Sequence, residues 1–144
     1  MAKYKAGLHK YKPIALKNLY EDLNSLEDEL VYEEAIENAI TVVKNDFYLM
    51  GIKRLENKKI AYVKFGDANS TPFITELNKY AKVTQINGKD VSTIKGKLKD
   101  FNLVIIGHHK SNESPWKAYK FTDKELVWLH EIARTHTVIL DIFV

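Results

Sequence analysis

Apolar positions along the chain recur with two different periods, and the changes between them mark out its elements. Tyr32, Ala35, Ile36, Ala39, Ile40 and Val43 repeat at three- and four-residue spacing and predict a helix running to about Val43 with one buried stripe. Ser25 with Asp28 fits a capping box at its start, the acidic first turn suits the helix dipole, and Lys44 is placed to close the other end. Lys59 to Phe65, KIAYVKF, mixes alternation with β-branched and aromatic residues and predicts a strand ended by Gly66 and Asp67. Thr71 as N-cap and Pro72 at the first helical position open the next helix, whose apolar side is Phe73, Ile74, Leu77 and Tyr80.

Lys82 to Ile86 predicts a second strand, stopped by Asn87-Gly88. That pair is compatible with a hairpin returning through Val91. A loop is the better reading, because a helix from Ser92 to Lys99 with Ile94 and Leu98 inward then keeps strands and helices alternating. Leu103 to Ile106 is an unbroken apolar run, as in a parallel strand covered on both faces, and Gly107 is predicted to end it. Thr122 with Glu125 makes a second capping box for a helix through Leu126, Leu129, Ile132 and Ala133 to about Thr135, and Val138 to Val144 forms the last strand.

This alternation predicts an α/β fold: a three-layer α/β/α sandwich with a mostly parallel, flavodoxin-like sheet of about four strands. The chain stops inside an apolar strand, so the sheet is expected to be truncated at its C-terminus, and Met1-Ala2 reads as an added start. Met1 to Tyr20 carries many Lys and Tyr but few regularly spaced apolar positions. It reads as a short helix at Ala2 to Leu8 and an extended arm past Pro13, belonging to a preceding unit or a linker.

Composition narrows the function classes. Apolar content of 45% and charged content of 28% are ordinary for a globular domain, and no apolar run is long enough to span a bilayer. The net charge of +3 is spread over mixed surface segments with no basic helix interleaved with aromatics, so neither nucleic acid nor a membrane is expected as a partner. Cysteine is absent, which removes thiol nucleophiles and cysteine metal sites and leaves the compartment unassigned.

In open α/β sheets ligands collect outside the carboxyl ends of the strands. The segment after Gly107, with His108, His109, Lys110, Ser111, Asn112 and Trp116, is therefore the candidate site. The stretch after the first strand, Gly66-Asp67-Ala68-Asn69-Ser70-Thr71, holds one glycine where a dinucleotide fingerprint needs three, and Ser70 or Thr71 is better read as a cap than as a phosphate ligand. His130 and His136 are six apart, whereas a zinc-protease helix places its two histidines four apart on one face. No metal or other cofactor is expected. No serine sits in a nucleophile elbow, Asp123 and Glu125 read as helix caps, and no loop presents a facing pair of carboxylates. Trp116, after Pro115, is suited either to stacking on a sugar ring or to anchoring its loop.

The order of segments resembles the second domain of glycoside hydrolase family 3, particularly its β-N-acetylglucosaminidase-like members. EEAIENAITVVKN, Glu33 to Asn45, is similar to the family helix ending in "sitllkN"; KKIAYVKFG, Lys58 to Gly66, resembles "kkIAvig"; NLVIIG, Asn102 to Gly107, resembles "DlvIvg". Phe121 to Phe143 is similar to the helix and strand that follow, and AKYKAGLHKYKP to the last helix of the family's catalytic barrel. The resemblance implies that residues 1–23 are the tail of that barrel and a linker, and residues 24–144 a partial C-terminal-type α/β domain.

It also implies a noncatalytic piece of a retaining glycosidase acting on terminal β-linked N-acetylglucosamine or related β-glycosides. The nucleophilic aspartate, and the histidine-aspartate acid/base of the N-acetylglucosaminidase branch, belong to the barrel, so no catalytic residue is assigned in this chain. The partner implied is the barrel of the same parent chain, with carbohydrate reached only through it and the parent possibly exported. Where family β-glucosidases have an acidic "E..D" pattern after the third strand, this chain has His109 to Trp116, so their sugar-binding roles are not carried over. The alternative readings from the residues alone are a free-standing module for a small or phosphorylated ligand and a protein-interaction domain.

Overall fold

The structure, a computed structural model, describes residues 16–111, 116 and 119–143. The chain divides into two compact units between Met50 and Gly51. The first contains α1 (Leu19–Leu23) and α2 (Leu26–Ala39). The second is an α/β sandwich in the order β1 (Ile60–Gly66), α3 (Thr71–Tyr80), β2 (Val83–Gln85), α4 (Val91–Leu98), β3 (Leu103–His109), α5 (Asp123–Ala133) and β4 (Val138–Phe143).

The four strands form one parallel sheet in the order β2-β1-β3-β4, the first four places of the 2-1-3-4-5 doubly wound arrangement. Alternation along the strands divides the core in two. Ala61, Val63, Phe65, Val104 and Ile106 face α4 and α5 and pack on Ile94, Leu98 and Ile132. Ile60, Tyr62, Leu103 and Ile105 face the other way, against Phe73, Ile74 and Leu77 of α3 and against Ile52 and Leu55. Ile94 and Leu98 point inward as their spacing predicts, and Asn87-Gly88 lies in a loop between β2 and α4, not at a hairpin.

Five expectations are corrected. The chain past Pro13 is not wholly extended, since Leu19–Leu23 is helical; the helix predicted at Ala2 to Leu8 lies outside the described residues. Helix α2 has its capping box at Ser25 and Asp28 but ends at Ala39, because Ile40 turns extended, and Lys44 pairs with Asp46 at 3.0 Å and does not close the helix. The stripe on α2 is periodic but not buried: no residue of the helix is buried, and Tyr32 is 68% exposed. Periodicity fixes which residues share a face, whereas burial needs a second layer against that face.

Thr71 is the first residue of α3 and not its cap. The side-chain oxygen of Asn69 accepts from both the backbone N–H and the hydroxyl of Thr71, which leaves Ser70 at the N-cap position without a side-chain cap bond and Pro72 within the first turn. The last correction concerns β3 and decides the geometry of the site.

Candidate functional site

Gly107 does not end β3. The ladder continues past it, pairing Lys64, Phe65 and Gly66 of β1 with Gly107, His108 and His109, and these in turn with Asp141, Ile142 and Phe143 of β4. A central strand with a neighbour on each side has its backbone groups satisfied as long as both neighbours persist, so one glycine does not break it. His108 and His109 are consequently strand residues, 0% and 5% exposed, and not loop residues. Lys110 follows directly, donating its N–H to the Phe143 carbonyl at 3.0 Å, and the Ser111 N–H donates to Asp67 Oδ1 at 3.1 Å. Trp116 is 92% exposed, and Asn112 lies outside the described residues. The structure thus separates the sequence candidates into a buried histidine pair and a surface group.

Strand alternation puts the two histidines on opposite faces of the sheet. On the α3 face, Tyr62 Oη and His109 Nε2 are 2.7 Å apart and buried. A side chain at Gly107 would fall 2.5 Å from Tyr62 Oη and 2.6 Å from His109 Nε2, so glycine opens the space in which the two meet. Aromatic rings close the pair in: His109 stacks on Phe143 at 4.4 Å between centroids, and Phe73 of α3 lies 4.8 Å from Phe143 and 5.8 Å from both Tyr62 and His109.

Electrostatics keep both groups uncharged near neutral pH. Burial raises the Tyr62 hydroxyl above its ordinary range, a hydrogen bond with Ser70 works against that, and Asp141 adds to the rise. Burial lowers His109, helped by Lys64 and His108. Tyr62 therefore donates its proton to a neutral imidazole. Asp141 pairs in register with Gly107, so it shares this face; burial raises its carboxyl.

On the opposite face His108 stacks on Phe121 at 3.8 Å and its Nε2 lies 3.4 Å from the Tyr119 carbonyl. In the neutral ring this makes Nε2–H the donor, and Nδ1 is a buried acceptor without a hydrogen-bond partner among the described residues. Nearby, the Glu125 carboxylate joins two elements. One oxygen accepts from the Gly66 N–H at 2.7 Å, and the other from the N–H and hydroxyl of Thr122 at 2.8 and 2.9 Å. The capping reading of Glu125 holds, and the carboxylate also fastens the end of β1 to the start of α5.

The turn from β1 into α3 is held to β3 as well. Gly66 adopts φ 79°, and a Cβ there would collide with the His109 carbonyl. That carbonyl accepts from the N–H groups of Asp67 at 2.9 Å and Ala68 at 3.1 Å. At the start of α3 the Thr71 N–H is taken by Asn69, Pro72 has none, and the Ile74 N–H reaches the Ser70 carbonyl. The Ile74 bond is the first within the helix, so of the four positions before it Thr71 and Pro72 offer no free N–H.

Tyr62, Asp141 and Phe143 were not singled out by sequence reasoning, and Ser70 and Phe73 only as a cap and as part of a helix's apolar side. The signal for Tyr62 was its even spacing from Gly66, which places both on one face of β1; its partner becomes visible only once β3 is known to continue to His109. Among the described residues no group of three or more His, Cys, Asp or Glu is placed to hold a metal ion. Two open hollows among the described residues lie elsewhere, at the loop before α4 and between α4 and α5. Among the described residues no helix is long and apolar enough to cross a membrane. No family model, no curated protein and no solved structure matches this chain.

Proposed function

We propose that this chain is a noncatalytic accessory α/β domain of a glycoside hydrolase family 3 enzyme, packing against the catalytic barrel of the same parent, which acts on terminal β-linked N-acetylglucosamine or related β-glycosides. The observation that carries the reading is the fate of the two histidines. Both lie inside a central strand, His109 held by Tyr62 and aromatic rings and His108 stacked on Phe121, so neither faces a substrate. Two carboxylates at the same end of the sheet serve the backbone: Glu125 caps α5 and β1, and Asp67 accepts from Ser111. The order of elements supports the resemblance in segment order. Half-buried Lys110 and exposed Trp116 are the residues assigned to the barrel contact in this reading.

The test pairs two measurements on the full chain. It is assayed on chromogenic β-N-acetylglucosaminide and β-glucoside, and then mixed with a separately produced family 3 barrel lacking its second domain. The expected result is no turnover by the chain alone, with association that raises the melting temperature of the barrel. Turnover that co-purifies with the chain, or a barrel that neither binds it nor changes in stability, overturns the proposal.

A further inference from the structure

The loop that carries the chain from β2 to α4 contains the one Asn-Gly step in the sequence, Asn87-Gly88. Asn87 is exposed, and an open hollow of about 540 Å³ brings water to Asn87, Gly88, Asp90, Thr93 and Lys97. Among the described residues no hydrogen bond uses the Gly88 N–H, and the Lys97 ammonium donates to the Asn87 carbonyl oxygen at 2.6 Å. That oxygen and the Gly88 nitrogen belong to the same peptide group. When the nitrogen loses its proton, the negative charge is shared onto the oxygen that Lys97 already contacts.

We propose that Asn87-Gly88 is a site of spontaneous backbone modification, in which Lys97 promotes conversion of Asn87 to aspartate and isoaspartate. The Gly88 nitrogen gives its proton to hydroxide and attacks Cγ of Asn87. A new N–C bond closes a five-membered imide, the carboxamide C–N bond breaks, and the nitrogen leaves as ammonia with a proton taken from water, which regenerates the hydroxide. Water then adds to either imide carbonyl, reopening the ring as aspartate or, through the side-chain carboxyl, as isoaspartate. No oxidation state changes, and the only co-reactant is water.

Glycine matters twice. It leaves the attacking nitrogen unhindered by a side chain, and it fits where a Cβ would fall 2.7 Å from Ile94 Cγ1. Isoaspartate adds a carbon to the backbone at this point, beside a residue that is 1% exposed in the core. The modification therefore lowers the formal charge of +3 by one and loosens the first turn of α4.

The test follows the intact folded chain at mildly alkaline pH by peptide mass mapping and by an isoaspartyl methyl-acceptor assay, alongside Lys97→Met and Lys97→Arg. Asn87 is expected to convert faster than every other asparagine. Lys97→Met should slow it about three- to tenfold, less than the ~10²–10³ of a donor in a water-excluded site because Lys97 is solvated. Lys97→Arg should retain most of the rate, and in concentrated urea all three chains should convert alike. An Asn87 that outlasts the other asparagines in the folded chain, or equal folded rates for wild type and Lys97→Met, overturns the proposal.

Discussion

Tyr62 Oη and His109 Nε2 meet at 2.7 Å in the volume that a side chain on Gly107 would occupy, so three residues from two adjacent strands define one buried polar contact. Tyr62→Phe removes the donor and strands a buried ring nitrogen, which should cost about 1–3 kcal/mol. Gly107→Ala pushes a methyl group into the pair, with a cost of about 1–3 kcal/mol from overpacking. The two effects share one space, so the double variant should lose less than the sum of the singles. Urea unfolding of the four-member cycle measures this, and strict additivity would separate Gly107 from the pair.

His109 gives the fold a defined response to acid. Burial depresses its folded pKa below the ordinary 6.5, so as pH falls through that value the unfolded chain takes up a proton before the folded one does. The contribution of neutral His109 is complete above about pH 6.5 and is lost progressively below it, until the folded ring also protonates. Unfolding free energies measured between pH 7 and pH 5 should decline in the wild type, and His109→Gln should flatten that decline.

Asp141 acts with the opposite sign. Its folded pKa is raised above 3.8 by burial, so the unfolded chain releases the proton first and the folded state loses stability as pH rises through that range. Asp141→Asn should therefore be more stable than wild type at neutral pH, with a gain that shrinks as pH falls through the raised folded value and is gone below 3.8. Melting temperatures at neutral and strongly acidic pH test it, and a gain of equal size at both would assign the effect to packing.

Glu125 couples two elements through one carboxylate. Burial works to raise its pKa, but hydrogen bonds from the Thr122 backbone, the Gly66 backbone and the Thr122 hydroxyl outweigh it and lower the net value. Its contribution is present above the unfolded pKa of 4.5 and is lost as pH falls through the depressed folded value. Glu125→Ala should cost about 0.5–2 kcal/mol, as for loss of a helix cap. It should also speed amide hydrogen exchange at Gly66, which a cap serving α5 alone would leave unchanged.

Much of the second unit was legible because its signals are local. Thr122 and Glu125 are three residues apart and need nothing distant to form their box. Ile94 and Leu98 share a face at helical spacing, and Leu103 to Ile106 is apolar at every position. What escaped depends on neighbours remote in sequence. Gly107 looks like a stop until β1 and β4 are seen to flank it, and the histidines look like loop residues until the strand is extended to include them. The stripe on α2 is the converse case: its period is legible, but whether it is covered is a property of the surroundings.

The His109 carbonyl, which receives two amides from the turn after β1, ties the kinetics of that turn to the centre of the sheet. Asp67 and Ala68 look like surface turn residues, yet their amides open only when the end of β3 lets go, so their protons should exchange with solvent on the timescale of β3 and not of the first turn of α3. A short turn thus inherits the persistence of the strand beneath it, and whatever docks at this edge meets a surface already set before it arrives.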